Sequence, residues 1–187
     1  MLRTLDSRTP QSRDDQLTLA RSSVLEMDET ELLDLALARE SAWPGISGGF
    51  IKLLVTTPPE DKEGRQRHWI VKFGDRDHPG ICALEQFGMG VAKVMGLPVP
   101  DTIVSDDFSR ILVERFDIAT DGERFGFEDF CSLSNKPAAD KYFGAVERLP
   151  RLCDEVCGKD AAGVGQDQLF AQYLLACVIR NSDAHLK

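Results

Sequence analysis

The sequence predicts an α+β protein with two lobes, a small antiparallel sheet carrying one helix and then a helical lobe. Two observations predict this class. The candidate strands all lie between about residues 50 and 116, whereas apolar residues recur at helical spacing from about Gly126 onward. The chain has 187 residues, of which 42% are hydrophobic, enough for one domain or two small lobes. We therefore expect a polar arm over residues 1–27, a sheet lobe over 28–117 and the beginning of a helical lobe over 118–187.

The composition argues against several classes of protein. The net charge is −9 and no basic stripe is evident, so direct nucleic-acid binding is not expected. No apolar run approaches the roughly 20 residues that span a membrane, and the first residues lack the apolar core of a signal peptide. The five cysteines are an odd number without a paired Cys-His pattern, which favours free thiols in a reducing cytoplasm over a zinc site.

The N-terminal part is expected to contribute one helix. Residues 1–27 are polar with little periodicity, which predicts a mobile or loosely docked arm. Asp28 then suits the cap of a helix, with Glu31 three residues on as its reciprocal partner, and Pro44 ends that helix. We interpret this segment as a packing helix.

The sheet is predicted from four short stretches with strand patterns, "FIKLLVTT", "RHWIVKF", "VPDTIV" and "SRILVERF". A turn rich in proline and charge joins the first two, so they should form a hairpin. A helix, "GICALEQFGMGVAKVMG", separates the two pairs of strands, and Gly96 closes it.

The second lobe is predicted to be mostly helical. Its first pieces are "FEDFCSL" and "YFGAVERLPRLCDEVCG", the latter interrupted by Pro150. The stretch "GVGQ" is interpreted as a break. The strongest helix is "DQLFAQYLLACVIR", which is apolar nearly all round and should therefore be buried.

Two features of the sheet lobe are typical of a phosphate site. Gly48 and Gly49 precede the first strand, where backbone N–H groups can hold phosphate oxygens, although adjacent glycines more often form an ordinary turn. Lys72 lies in the second strand, where a lysine usually faces solvent. The alternative is a lysine that faces a cleft and pairs with phosphate, positioned by Glu85 of the following helix.

The ends of two further elements could complete a nucleotide site. The strand ending "LVERFD" can offer backbone groups at Glu114 to a purine edge and the ring of Phe116 as a cover; the alternative is a surface ion pair between Glu114 and Arg115. Asp183 in "NSDAHLK" could accept a hydroxyl proton while Lys187 neutralises a transferring phosphoryl group. The alternative there is a capped helix end with solvated charges. These candidate features follow one another along the chain in the order found in protein-kinase-like folds: glycines, lysine, glutamate, purine-binding strand end and aspartate.

The chain resembles the HipA family of bacterial toxin kinases. The matching stretches are "ISGGFIKLLV", "HWIVKF", "LEQFGMGVAKVMGLPVPDTIV", "ILVERFD", "FEDFC", "KY" and "VIRNSDAHLK". The resemblance implies an ATP-dependent serine/threonine kinase of a toxin–antitoxin operon. Known targets in that family include aminoacyl-tRNA synthetases, and the partner is a HipB-like helix-turn-helix antitoxin that binds operator DNA.

The resemblance also implies roles for individual residues. The ATP lysine falls on Lys72, and the glycine-rich loop falls on Ile46–Lys52. The adenine contacts fall on Glu114 and Phe116, and the catalytic aspartate falls on Asp183.

Regulation and metal binding are implied in the same way. Family members are regulated by autophosphorylation of a serine in the glycine-rich loop. In this chain, Ser47 carries the only side-chain hydroxyl of that loop. The family's magnesium ligands, an asparagine directly after the position of Lys187 and a later aspartate, lie beyond the sequence. We therefore expect ATP and Mg²⁺ to be used only with a further C-terminal part, and the 187-residue chain alone to be inactive. The alternatives are a non-catalytic lobe that binds a nucleotide or a partner, and a small-molecule phosphotransferase.

Overall fold

The computed structural model has an α+β architecture, as the sequence predicts. It divides into two compact units: a first unit formed by Met1–Cys82 and Thr102–Arg115, and a second unit formed by Ala83–Asp101 and Phe116–Lys187. The residues that the structure describes are 17–40, 52–59, 64–74, 77–119, 122–144, 146–157, 159–181 and 183–186.

The first unit is built on a five-stranded sheet in the order β1-β2-β3-β5-β4. The strands are β1 (Leu17–Thr18), β2 (Lys52–Thr57), β3 (Arg67–Phe73), β4 (Thr102–Val104) and β5 (Arg110–Glu114). The β2–β3 hairpin and the antiparallel β4–β5 pair confirm the four predicted strands. β5 lies between β3 and β4, and it pairs antiparallel with both.

One face of the sheet carries the core of this unit. In β3 the side chains of Trp69, Val71 and Phe73 are buried, whereas the intervening Ile70 and Lys72 are only half-buried. This alternation follows from the strand period of two. The core therefore takes every second residue of β3 and leaves Lys72 on the opposite face of the sheet. The buried residues of the cluster are Val24, Leu32, Leu53, Val55, Trp69, Val71, Phe73 and Leu112.

Residues 17–27 do not form the loosely docked arm that their composition predicts. They form β1, which pairs in parallel with β2, and helix α1 (Arg21–Glu26). Val24 of α1 is fully buried in the sheet core. The prediction was wrong for this stretch because a few apolar residues, spaced to meet the sheet, outweigh a polar average. Residues 1–16 of the predicted arm lie outside the described part.

Helix α2 (Glu29–Glu40) begins where the sequence predicts it. The Asp28 carboxylate accepts a hydrogen bond from the backbone N–H of Thr30 at 2.8 Å, which satisfies one of the unpaired donors of the first turn. That backbone bond is the main cause that lowers the pKa of Asp28. The cap is therefore confirmed, the reciprocal role of Glu31 stays a prediction, and Pro44 lies outside the described residues.

Helix α3 spans Ile81–Val94, and Gly96 closes it two residues later, as predicted. Gly96 has a φ of +78°, which only glycine adopts without strain. Its N–H donates to the Lys93 carbonyl and the N–H of Leu97 donates to the Ala92 carbonyl, both at 3.0 Å. This pair of bonds satisfies the last carbonyls of the helix.

The second unit is mostly helical, as predicted, but two predicted interruptions are absent from its described helices. Besides most of α3, these helices are α4 (Phe130–Leu133), α5 (Leu149–Cys157) and α6 (Lys159–Val178). Pro150 is the second residue of α5, where its missing N–H would have no helical partner in any case. The "GVGQ" stretch lies inside α6. A Cβ added to Gly165 there would lie at ordinary contact distance from Cys157, at 3.8 Å, and from Cys153, at 3.9 Å, so this part of α6 faces α5.

Helix α6 is not buried all round, contrary to the sequence prediction. Leu175 is buried in a cluster with Ala92 and Leu97. By contrast, Phe170 is 67% exposed and Val178 is 71% exposed. The apolar pattern alone gave no indication that only one side of this helix is covered. Within the described residues, no helix is long and apolar enough to cross a membrane.

Candidate functional site

Lys72, the predicted phosphate lysine, lies on the face of the first unit's sheet that is opposite its core. Its cross-strand partner on β2 is Lys52, in direct register. Directly opposite strand residues project to the same face with their Cβ atoms about 5 Å apart. Lys52 and Lys72 therefore project from the same face of the sheet, at adjacent positions of β2 and β3.

Several predicted site residues are not tested by this geometry. Glu85 lies in α3 within the second unit, whereas Lys72 lies in the first, so the approach of Glu85 to Lys72 stays a prediction. Gly48 and Gly49 of the glycine-rich loop lie outside the described residues, and so do Ser47 and Lys187.

At the end of β5, the predicted adenine contact Glu114 is held by Arg67 of β3. The guanidinium donates twice, from Nε to Oε1 at 2.7 Å and from Nη2 to Oε2 at 2.5 Å. The same guanidinium carbon lies 4.6 Å from the centroid of the Trp69 ring. Both carboxylate oxygens are thus engaged by Arg67, and the predicted contact of Glu114 with a purine stays a prediction. The alternative interpretation from the sequence gave Glu114 a different partner, its chain neighbour Arg115.

Phe116 begins the segment that follows β5. Its side chain is 69% exposed. Its ring centroid lies 5.4 Å from that of Phe127, with the rings inclined at 61°. An edge-to-face pair of this kind holds the ring in place while leaving it accessible, as the predicted adenine cover requires.

Asp183, the predicted catalytic residue, follows α6 through a tight helix end. Arg180 has a φ of +56°, the left-handed conformation that stops a helix. The N–H of Asn181 donates to the Ala176 carbonyl at 2.8 Å. The N–H of Asp183 then donates to the Asn181 side-chain oxygen at 3.0 Å, which closes a small turn. The position of Asp183 is thus set by local hydrogen bonds.

The Asp183 carboxylate is both held and accessible. Its Oδ1 accepts a hydrogen bond from the Tyr142 hydroxyl at 2.5 Å. His185 Nε2 lies 3.8 Å from the same oxygen, while the Asp183 side chain remains 72% exposed. The rings of Tyr142 and His185 meet edge to face with centroids 5.3 Å apart. A carboxylate fixed through one oxygen can offer the other to a hydroxyl proton.

The loop that carries Asp183 is tied to the segment before α5. The N–H of Leu186 donates to the Lys141 carbonyl, and the N–H of Cys131 donates to the Leu186 carbonyl, both at 3.0 Å. A Cβ added at Gly144 would lie 2.7 Å from Leu186 Cδ1, so glycine leaves room for this leucine. Tyr142 was not predicted as a site residue, although the dipeptide "KY" was the available signal.

The described residues were also tested for a metal site. Among them, no group of three or more His, Cys, Asp or Glu side chains could hold a metal ion.

Comparison with known proteins gives one family model and a solved structure that match the chain. Residues 45–187 match a family model described as the HipA-like C-terminal domain. A solved structure of the Shewanella oneidensis MR-1 toxin–antitoxin complex of HipA, HipB and operator DNA matches with a TM-score of 0.54 and 22% identity. The match covers 86% of this chain and 45% of the other, so the chain spans less than half of that protein. At this identity the likeness concerns the fold alone. No curated protein matches the sequence.

Proposed function

The chain belongs to the HipA-like C-terminal domain family, and from this premise we propose that it is the ATP-binding and base-bearing part of a serine/threonine kinase. The main observation that supports the proposal is the hydrogen bonding and exposure of the Asp183 carboxylate. One carboxylate oxygen is held by Tyr142 while the side chain stays 72% exposed. An exposed carboxylate with a fixed orientation is what a general base for a substrate hydroxyl needs.

The proposed reaction moves the γ-phosphoryl group of ATP to a protein hydroxyl. Asp183 accepts the hydroxyl proton as the oxygen forms a bond to the γ-phosphorus. The bond from that phosphorus to the oxygen bridging to the β-phosphate breaks, and ADP leaves. Lys187 stabilises the charge of the transferring group in this account. Mg²⁺, when bound, would neutralise phosphate charge.

Binding of ATP is assigned to the predicted phosphate and adenine contacts. Lys72 pairs with phosphate oxygens, helped by the positive field of the neighbouring Lys52. The backbone of Glu114 and the ring of Phe116 contact the adenine. Gly48 and Gly49 supply N–H groups to the phosphates, and Glu85 positions the Lys72 ammonium.

The proposed setting is a bacterial toxin–antitoxin system. The solved HipA neighbour is in a complex with HipB and operator DNA, which supports a HipB-like antitoxin as partner. The substrate would be a protein, with aminoacyl-tRNA synthetases as the class to test first. Direct DNA contact is not assigned to this chain, since its net charge is −9. The cytoplasm is the proposed compartment, supported by five cysteines that are all free thiols.

The test is phosphoryl transfer by the full-length protein. It would be incubated with ATP labelled in the γ-phosphate, with and without candidate protein substrates, and labelled serine and threonine would be identified after hydrolysis. We expect labelling that disappears in Asp183→Asn. ATP binding without any labelling would instead favour the non-catalytic lobe, and labelling of small molecules alone would favour the small-molecule phosphotransferase.

Ser47 is the proposed regulatory site of this kinase. A phosphate on Ser47 would add a charge of about −1.5 to −2 beside the glycine-rich loop and compete for the N–H groups that hold ATP phosphates. We expect Ser47→Asp to bind ATP more weakly than Ser47→Ala in the full-length protein. Equal ATP affinity and toxicity of both variants and the parent would remove Ser47 from the mechanism.

A further inference from the structure

The contact between Tyr142 and Asp183 is the least expected feature of the candidate site. The two residues are 41 positions apart in sequence, yet the hydroxyl and the carboxylate oxygen approach to 2.5 Å. A hydrogen bond to an ionised acceptor is stronger than one between neutral groups. Tyr142 comes from the segment between α4 and α5, which carries no proposed catalytic group of its own.

The segment that carries Tyr142 is built to hold the loop of Asp183. Its backbone carbonyl at Lys141 accepts the N–H of Leu186 at 3.0 Å. The Lys141 ammonium lies 4.8 Å from the centroid of the Tyr142 ring, and the His185 ring packs edge-on against the same tyrosine. The phenol is therefore fixed by contacts to its ring as well as to its hydroxyl.

A fixed phenol determines the plane of the carboxylate. The terminal torsion of an aspartate side chain is broad and roughly two-fold, so a free carboxylate exchanges its two oxygens. The Tyr142 hydroxyl selects Oδ1. Among the described residues, no side chain donates a hydrogen bond to Oδ2, which is thus the oxygen presented to a substrate.

We propose that Tyr142 is a positioning residue for phosphoryl transfer, acting by holding Oδ1 of Asp183 so that Oδ2 accepts the substrate hydroxyl proton. This inference rests on the proposed function. Tyr142 does not touch the reacting atoms in this account. Its hydroxyl therefore affects turnover and leaves ATP binding alone, since a misplaced base slows the chemical step.

The contact itself can be tested without any activity. The chain has two tyrosines, Tyr142 and Tyr173, and Tyr173 lies on α6 with no hydroxyl hydrogen bond to any described residue. Full-length protein labelled with 3-fluorotyrosine should give two ¹⁹F NMR signals from this part of the chain, assigned by Tyr142→Phe and Tyr173→Phe. We expect Asp183→Asn to move the Tyr142 signal and leave the Tyr173 signal in place. An unmoved Tyr142 signal would overturn the proposal.

The role in catalysis is tested by steady-state kinetics of the same variants. Tyr142→Phe keeps the ring contacts to His185 and Lys141 and removes only the hydroxyl. We expect its kcat to fall by about 10-fold to 100-fold with an unchanged KM for ATP, and Tyr173→Phe to match the parent. An unchanged kcat, or an equal loss in Tyr173→Phe, would overturn the positioning role.

Failure of the proposed function is distinguishable from failure of this inference. If Asp183→Asn transfers phosphate as fast as the parent, or the parent transfers none, the proposed function is wrong and the positioning role falls with it. The ¹⁹F signal would still report the contact in that case. If Asp183→Asn abolishes transfer while Tyr142→Phe has no effect, only the positioning role is wrong.

Discussion

Arg67 holds Glu114 in a two-armed ion pair across strands β3 and β5, with the closer arm, Nη2 to Oε2, at 2.5 Å. The pair lies at the strand end where ATP is proposed to bind. Because the guanidinium also covers Trp69 at 4.6 Å, the pair joins the charged edge of the sheet to its core. The two side chains are 34% and 30% exposed, so solvent screens part of the attraction.

The first prediction concerns this pair. Arg67→Lys replaces a planar fork by a point charge and loses the bidentate geometry. We expect the free energy of unfolding to fall by about 0.5–1 kcal/mol, measured by urea denaturation. The control is Arg151→Lys at an exposed position of α5, where we expect no measurable change. Additivity of Arg67→Lys with Glu114→Gln in a double-mutant cycle would contradict the pairing.

The second prediction concerns Arg110, which is only 6% exposed. Its Nη1 donates to the carbonyls of Val24 at 3.1 Å and Met27 at 2.7 Å, so it fixes the end of α1 against the sheet. Arg110→Met should lower the free energy of unfolding by about 2–4 kcal/mol, because one buried and one part-buried carbonyl lose their donor. Exposed Arg151→Met should change it by less than about 0.5 kcal/mol. A similarly small effect at Arg110 would show that those bonds do not hold α1.

The third prediction compares a glycine inside a helix with a glycine that has a positive φ. Gly163 lies inside α6 with open space around it, and Gly96 has a φ of +78°, also with open space. Gly163→Ala should raise the free energy of unfolding by up to about 1 kcal/mol. Gly96→Ala should lower it by about 1 kcal/mol. Thermal unfolding of both variants gives the comparison, and a loss of stability in Gly163→Ala would argue that α6 is not continuous there.

The fourth prediction concerns pH. Hydrogen bonds from the Ser105 hydroxyl and from the backbone and hydroxyl of Ser109 lower the pKa of Asp107 to about 2. A lowered folded-state pKa stabilises the protein above the unfolded-state value, and this contribution is lost as the pH falls from about 4 towards 2. We expect Asp107→Asn to lose less unfolding free energy than the parent between about pH 5 and about pH 2.

The matched control for that measurement is Asp106→Asn. Asp106 is the exposed neighbour of Asp107, and its carboxylate accepts no hydrogen bond from any described residue. It should keep the acid dependence of the parent. Parallel pH profiles for the parent and Asp107→Asn would contradict the role of the Ser105–Ser109 turn.

Local patterns predicted much of this fold. The strand Arg67–Phe73 follows from its alternating pattern. The helix end at Gly96 follows from a backbone conformation that glycine favours. Both signals are local in the sequence. The docking of residues 17–27 was missed because it depends on a sheet far along the chain. The continuity of α6 through Gly165 was missed for a different reason, because glycine has a low helix propensity and its proximity to α5 is not visible in the local pattern.

The candidate site was predictable only in part. Asp183 stood out because a carboxylate directly follows a strongly apolar helix. Its holder, Tyr142, is 41 positions away, and the partner of Glu114, Arg67, is 47 positions away. Such long-range pairs leave no periodic signal in a single sequence. Geometry is needed to find them.

Asp183 is proposed as the base for phosphoryl transfer from ATP. The most direct measurement compares ATP affinity and the rate of γ-phosphoryl transfer in the full-length parent protein and its Asp183→Asn variant, with Asp140→Asn as the control. We expect Asp183→Asn to bind ATP as the parent does and to transfer phosphate about 10²-fold to 10⁴-fold more slowly, while Asp140→Asn matches the parent. Transfer at the parental rate in Asp183→Asn would contradict the claim.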